Sequence, residues 1–480
     1  MKNPLLQKIA DNWMLDARLE DSAKYFYNFS EVKSILDNHK CYVVGRKGTG
    51  KTAICQHIIT TKQYDAFSTK LSFKNFPFNE LYSLQNNKYT MPNQYITLWK
   101  YLIYSTVCKM MVTNEAVEPS VRTELSKLYP EKDARQLARK VSEWTSVKFG
   151  ATVLGTGGSI GLSRENTVTE FSWIEKCDML EDIIVQYATE SKYYIVFDEL
   201  DEDYREINDN QASDSYIYLL TSLFKAVQDV KATFAETSVM IMPIVFLRDD
   251  IYMLIKDSDK NKWSDLKIEL EWTESKLKDM LAYRISREIS EKEPPLGFKK
   301  AWEKIFSNKE ISYGTNQGKR TDSFDFISRG THLRPRDFIR YIQNCSEEAA
   351  RRDNPLVFGS TIKYVDRSFS NYLRAEIEDE VYPLLPDINN IFQILSNMRK
   401  QIFDAKEFIN EYNKYLKAGT ISEKNVDKVL DVLYNFSVIG NQNKFQDHKQ
   451  YFKYLHTNMT YNKEEKIVIH RGLLKSLQII

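Results

Sequence analysis

The chain has 480 residues, 42% hydrophobic and 28% charged, with a formal net charge of +1. That length is too great for one hydrophobic core and predicts two or three domains, and the balance is that of a globular chain rather than a disordered one. Near-neutrality excludes recruitment of nucleic acid or membrane by a global field, so any such binding must come from a local patch.

The opening stretch, MKNPLLQKIADNWMLDARLED, carries an acid by residue 11 and no long apolar core, so it reads as no secretory signal. The longest apolar run, VMIMPIVFL at 239–247, falls far short of the roughly 20 residues of a spanning helix. Cysteines 41, 55, 108, 177 and 345 are scattered and never form a CxxC pair. They read as reduced thiols of a cytoplasmic protein, not as a disulfide framework or zinc site.

The first chemical motif is VVGRKGTGKTAI at 43–54, where Gly45 to Thr52 match G-x-x-x-x-G-K-[ST]. A short apolar strand, CYVVG, precedes it, and TAICQHIITTKQ can follow as a helix. Gly45, Gly48 and Gly50 let the backbone curl its N–H groups around phosphates, with the helix N-terminus behind them. Lys51 would reach the β- and γ-phosphates and Thr52 would ligate Mg²⁺. The nucleotide-binding stretch is therefore Gly45, Arg46, Lys47, Gly48, Thr49, Gly50, Lys51, Thr52 and Ala53.

Between about 70 and 185 an insertion is expected, because Lys51 and Asp198, the next motif residue, lie 147 positions apart. Within it, 95–112 reads as a strongly apolar helix and 130–144 as a charged one. VKFGATVLGTGGSIGLS at 147–163 places glycines among β-formers and predicts a hairpin or flexible loop. Ile160 breaks a G-x-G-x-x-G match, so no second dinucleotide site is read there.

SKYYIVFDELDEDY at 191–204 predicts a buried parallel strand ending in carboxylates, where open α/β sheets place ligand chemistry. Asp198 would hold Mg²⁺ and Glu199 would polarise the attacking water, the pairing expected for hydrolysis. Asp201, Glu202 and Asp203 read as a solvated loop. The absence of an N-K-x-D motif favours ATP over GTP.

A further strand at 239–247 ends in Arg248, followed by Asp249 and Asp250. Arg248 suits either a γ-phosphate sensor or a strand-terminating salt bridge. Thr273 reads as an N-cap for a helix with Leu277, Met280, Leu281 and Ile285 on one face; Lys276 replaces the Glu of a capping box. Arg284 and Arg287 share a face and suit either solvation or action in trans across a subunit interface. In SRGTHLRPRDFIRYIQNC at 328–345, Pro335 suits a first helical turn and Asp337 the helix N-terminus. Arg336, with Arg334 as fallback, is the candidate to face a nucleotide phosphate.

The tail reads as three short amphipathic helices and then two strands, YFKYLHTN and EKIVIHRGL, around a polar turn. That order describes a winged helix. Residues 441–480 hold seven Lys/Arg against three acids, a modest excess for phosphate binding, so DNA and protein both stand as its partners. Tyr451, Phe452 and Tyr454 read as core of the wing, and His448, His456 and His470 lack metal-ligand spacing.

GRKGTGKTAI, YYIVFDELDE, VFLRDDIY, IELEW and GTHLRPRDFIRYI, in this order, resemble bacterial P-loop ATPases of the AAA+/STAND group. The resemblance is closest to the branch that looks like origin-recognition ATPases, which includes a bacterial family with the same F-D-E-L-D-E strand. It covers roughly residues 20–370 by motif order, and the tail by its pattern. It implies an α/β fold of ASCE type, a P-loop αβα sandwich with a parallel sheet, a helical lid and a C-terminal winged-helix-like domain. The expected boundaries are 1–265 for the core with its insertion, 266–385 for the lid and 386–480 for the winged helix. It also implies Glu199 as catalytic base with Lys51, Arg248 in the sensor-1 place and Arg336 in the sensor-2 place.

The expected function is an ATP-hydrolysing switch using ATP and Mg²⁺, in which ATP closes the lid and hydrolysis releases it. The resemblance suggests bacterial antiphage defence or genome handling through a protein effector partner, since no effector motif is visible here. The alternative is a DNA-binding initiator or loader that uses its winged helix, with ATP mainly structural. Arg284 or Arg287 in trans would imply a homo-oligomer, whereas Arg248 and Arg336 in cis suffice for a monomer. No membrane partner is expected.

Overall fold

The computed structural model describes residues 3–73, 93–129, 151–152, 161–162, 173–201, 210–314, 318–446 and 449–479. The chain divides into two compact units: Asn28–Arg46 with Lys51–Leu270, and Met1–Tyr27 with Lys47–Gly50 and Glu271–Ile480.

The first unit is built on a five-stranded parallel sheet. Its strands are β1 (Tyr42–Val44), β2 (Ala66–Ser72), β5 (Lys192–Asp198), β6 (Met240–Leu247) and β7 (Lys267–Glu269), in the order β2-β5-β6-β1-β7. β5 and β6 read as near-continuous apolar runs because helices cover both faces of a parallel sheet. β6 nevertheless contains Pro243, paired with Ile195 of β5. The next residue on the same side, Val245, donates to Cys41 O, and β1 begins only opposite Val245. Pro243 thus lies beyond the start of β1, where no ladder partner needs its missing N–H.

The expected insertion at 70–185 is redrawn by the structure. Residues 70–72 belong to β2, which pairs with β5 along its whole length. The helix Ile96–Thr113 is part of the core layer: Trp99 Nε1 donates to Leu219 O at 2.9 Å, and its ring meets Phe197 edge-on. The helix Trp173–Tyr187 packs on it, with Tyr104 donating to Glu181 at 2.6 Å. Of the glycine-rich segment, β3 (Ala151–Thr152) pairs antiparallel with β4 (Gly161–Leu162), while the charged helix expected at 130–144 lies outside the described residues.

The second unit shares one hydrophobic core running from Leu5 to Leu477. Residues 3–27 fall here and not with the sheet, a correction to the expected 1–265 core. The helix Pro4–Asn12 buries Leu5, Leu6 and Ile9, and Gln343 of the helix Pro335–Arg351 donates to Ala10 O and Trp13 O. An amphipathic stripe shows that a helix must dock, but not on what. Thr273 does cap the helix Glu274–Ile289, accepting from Lys276 N at 3.3 Å. A small hairpin, β8 (Ile311–Tyr313) with β9 (Lys319–Thr321), precedes the helices Pro335–Arg351 and Gly359–Val381.

The tail runs helix Ile388–Met398, β10 (Ile402–Phe403), helices Ala405–Lys417 and Val426–Asn435, then β11 (Ile439–Gln442), β12 (Gln450–Tyr451) and β13 (Lys466–Ile469). The antiparallel order is β10-β13-β11-β12. The expected two-strand hairpin is corrected: β12 and β13 do not pair, because β11 lies between them and bonds both. The 386–480 segment is also fused to the preceding helices. Arg471 donates to Phe326 O, and a Cβ on Gly472 would lie 2.2 Å from Gly330 O. Phe452 is buried, and Tyr454 stacks on His332 of the preceding helical region. His448 lies outside the described residues.

Among the described residues, no helix is long and apolar enough to cross a membrane. All five cysteines are buried and unbridged.

Candidate functional site

In the sheet-bearing unit the chemistry gathers at the C-terminal ends of β5 and β6. Asp198 ends β5, and Glu199 turns abruptly out of it with φ 61°, a left-handed conformation rare for a residue with a side chain. The neighbouring strand receives both carboxylates. Lys70 Nζ lies 2.8 Å from Asp198 and 3.4 Å from Glu199, and Ser72 Oγ donates to Glu199. Lys70 and Ser72 alternate along β2, so both side chains leave the same face, and the register sets Ser72 opposite Asp198. Burial opposes the charge on Lys70, but Asp198 beside it outweighs this and the Lys70 pKa is raised. Sequence reading missed both residues. The signal was the polar pair at the end of the apolar-alternating AFSTKLS.

Lys51 opens the helix Lys51–Thr60, and its Nζ donates to Gly45 O at 2.6 Å and Arg46 O at 3.0 Å. Burial lowers its pKa, while the Asp201 and Asp249 carboxylates act the other way. Arg248 caps the helix Asp249–Leu254 in position but not by hydrogen bond. It forks onto Asp250 at 3.0 and 2.6 Å, with Asp201 at 3.6 Å. Asp201 is therefore an ion-pair partner and not a purely solvated acid; Glu202 and Asp203 lie outside the described residues. Burial raises the Asp249 pKa.

In the other unit lies the tip of the phosphate loop. Gly48 has φ +84° and Gly50 φ +99°, conformations that strain any residue with a Cβ. A Cβ on Gly48 would meet Arg336 Cβ at 3.2 Å, whereas one on Gly50 would meet nothing within 4 Å. Arg336 places Nη1 3.3 Å from Glu376, which also holds Lys47 at 3.3 Å. Arg334 is almost wholly buried. It donates to Asp337 and Glu380 and to Lys47 O, so its guanidinium is committed within the protein. Asp337, expected only to complement a helix terminus, is the buried counter-ion of Arg334 and accepts from His332 N.

Arg284 is likewise buried, paired with Glu20 at 2.9 Å between the rings of Trp13 and Tyr25. Arg287 stays nearer the surface, donating to the carbonyls of Glu291 and Glu293.

Asp198, Glu199 and Thr52, all in the sheet-bearing unit, fit a magnesium ion. The adjacent carboxylates Asp198 and Glu199 already accept a cation, the Lys70 ammonium, and hard oxygen donors suit Mg²⁺. Asp198 and the Thr52 hydroxyl are the residues that would hold it, with phosphate oxygens and water completing its shell. Among the described residues, no group of three or more His, Cys, Asp or Glu gathers as a protein-only metal cage.

The family described as the FunZ-associated C-terminal helical domain matches residues 275–378. No curated protein matches the chain. Among solved structures, Cdc6p from Pyrobaculum aerophilum aligns over 95% of this chain and 96% of its own at 11% identity and TM-score 0.32. The ORC2 protein of Aeropyrum pernix, in ADPNP–ADP complexes, aligns over 95% and 91% at 10% identity and TM-score 0.38. Drosophila ORC bound to DNA aligns over 99% and 91% at 10% identity and TM-score 0.31.

Proposed function

We propose that this chain is a cytoplasmic ATPase of AAA+/STAND type, an ATP-hydrolysing switch that controls a protein effector in bacterial antiphage defence or genome handling. One observation carries the hydrolytic reading. Glu199 is turned out of the strand beside Asp198, and a hydroxyl and an ammonium from β2 hold its carboxylate. A pure binding module has no use for a general base kept in a strained backbone next to a metal carboxylate. In this reading Lys51 and the loop N–H groups bind the phosphates and Glu199 takes the proton of the attacking water; Thr52 and Asp198 would hold Mg²⁺, which would supply Lewis-acid neutralisation of phosphate charge. Arg248 and Arg336 sense the γ-phosphate by exchanging their carboxylate partners for it.

A second reading, a DNA-binding initiator or loader, is supported by the tail. Phe445 is 93% exposed beside Lys444, on the connection between β11 and β12.

The test is ATP turnover by wild type and Glu199→Gln, with and without duplex DNA. Turnover lost in the variant while ATP binding persists supports the switch. Absence of turnover by wild type under every condition sinks it, and salt-sensitive DNA binding without turnover favours the second reading.

A further inference from the structure

Three successive carbonyls of the phosphate loop accept hydrogen bonds from residues more than 200 positions along the chain. Arg334 Nη1 donates to Lys47 O at 3.0 Å, the Arg336 backbone N–H donates to Gly48 O at 3.4 Å, and Trp272 Nε1 donates to Thr49 O at 2.9 Å. All six residues belong to one compact unit.

Peptide planarity gives this arrangement its meaning. In a trans peptide the C=O of one residue and the N–H of the next point in opposite directions. Fixing the carbonyls of Lys47, Gly48 and Thr49 toward these donors turns the N–H groups of Gly48, Thr49 and Gly50 to the other side. With Gly48 and Gly50 at positive φ, successive N–H groups then converge into an anion-binding concavity. Glycine-rich peptides flip easily, and a flip would replace an inward N–H by a repelling carbonyl. The donors oppose it, because a flipped peptide would leave their N–H groups, one on the buried Arg334 side chain and one on the partly buried Trp272, without the acceptor.

One of the donors is itself held in place. Arg334 is clamped by Asp337 and Glu380 and is 1% exposed. Its guanidinium spends its donors on two carboxylates and one loop carbonyl, an orienting arrangement and not one that reaches for a ligand.

We propose that Trp272 and Arg334 are positioning residues that lock the loop peptides in the phosphate-accepting orientation before nucleotide arrives. The inference rests on the loop being a nucleotide-phosphate site. It requires that losing either donor weakens capture of di- and triphosphate equally, raising KM while leaving kcat nearly unchanged.

The test uses full-length Trp272→Phe, which keeps an aromatic ring and loses the N–H, and Arg334→Lys, which keeps the charge but shortens the fork. Hydrogen–deuterium exchange over residues 45–52 is measured without nucleotide, and MgATP and MgADP affinities are measured by calorimetry. Faster loop exchange is expected in both variants, with both affinities falling about five- to tenfold, as for loss of one buried hydrogen bond. Wild-type exchange and affinity in folded variants, with wild type binding nucleotide, overturns the clamp alone. Failure of wild type itself to bind either nucleotide overturns the nucleotide reading and the clamp with it. A variant that loses kcat at unchanged affinity also overturns the clamp, since the residue would then act in the chemical step.

Discussion

Lys70 and Asp198 form a largely buried ion pair at 2.8 Å between the ends of two neighbouring parallel strands. Their side chains are 14% and 6% exposed, so the ammonium offsets charge that water reaches poorly. Removing one member of a buried pair leaves the other uncompensated, at a cost of about 3–5 kcal/mol. Lys70→Met should therefore lower the unfolding free energy extrapolated from a urea titration by an amount of this order. A shift below about 0.5 kcal/mol would show that solvent compensates Asp198.

Ser72 donates to Glu199, so its hydroxyl orients the proposed general base. Ser72→Ala should lower kcat about tenfold, a fraction of the 10²–10⁴-fold that general-base catalysis supplies, with ATP affinity unchanged. Steady-state turnover and equilibrium binding separate the two. A loss of affinity with intact kcat would assign the hydroxyl to binding.

Glu376 holds both Lys47 and Arg336 at 3.3 Å, competing with any phosphate for those cations. Glu376→Gln should tighten ADP and ATP binding about two- to fivefold at low salt, a gain on the scale of partly exposed charge pairs that shrinks as salt rises. Weaker binding in this variant would mean that Glu376 holds the cations in place for the nucleotide.

Arg284 is enclosed by Trp13, Tyr25 and Glu20. Arg284→Met should destabilise the fold by about 3 kcal/mol or more through the stranded Glu20 carboxylate, and Glu20→Leu in the same chain should recover much of that. Unaltered stability together with lost turnover, rescued by mixing with an inactive chain that retains Arg284, would point instead to action in trans.

The five thiols are all buried, and burial pushes Cys41 and Cys177 up to about 12. A thiol reagent at pH 8 should find no fast-reacting cysteine in the native chain and five after denaturation, because the thiolate is the nucleophile. A fast native thiol would mark a local opening at that cysteine.

Much of the site's chemistry is local and was legible in the chain. The strand–loop–helix around Gly45–Thr52, the buried strand ending at Asp198, the Thr273 cap and the Pro335 first turn each depend on residues a few positions apart. Hydrophobic period, glycine freedom and caps act at that range, so sequence by itself determined the parallel α/β core and nominated the residues proposed for catalysis. What the tertiary structure alone decided were partnerships set by register and by docking. Pairing of β2 with β5 brings Lys70 and Ser72 to the carboxylates, and nothing in AFSTKLS names its neighbour. Insertion of β11 between β12 and β13 defeats the hairpin reading, because a four-residue strand such as IGNQ carries no alternation of its own. Arg334 and Arg336 stand two positions apart at one helix start, yet one is buried between Asp337 and Glu380 while the other keeps an exposed edge. Which arginine is committed depends on where Glu380 and Glu376 arrive from a separate helix, and that is a fact of packing across sequence distance.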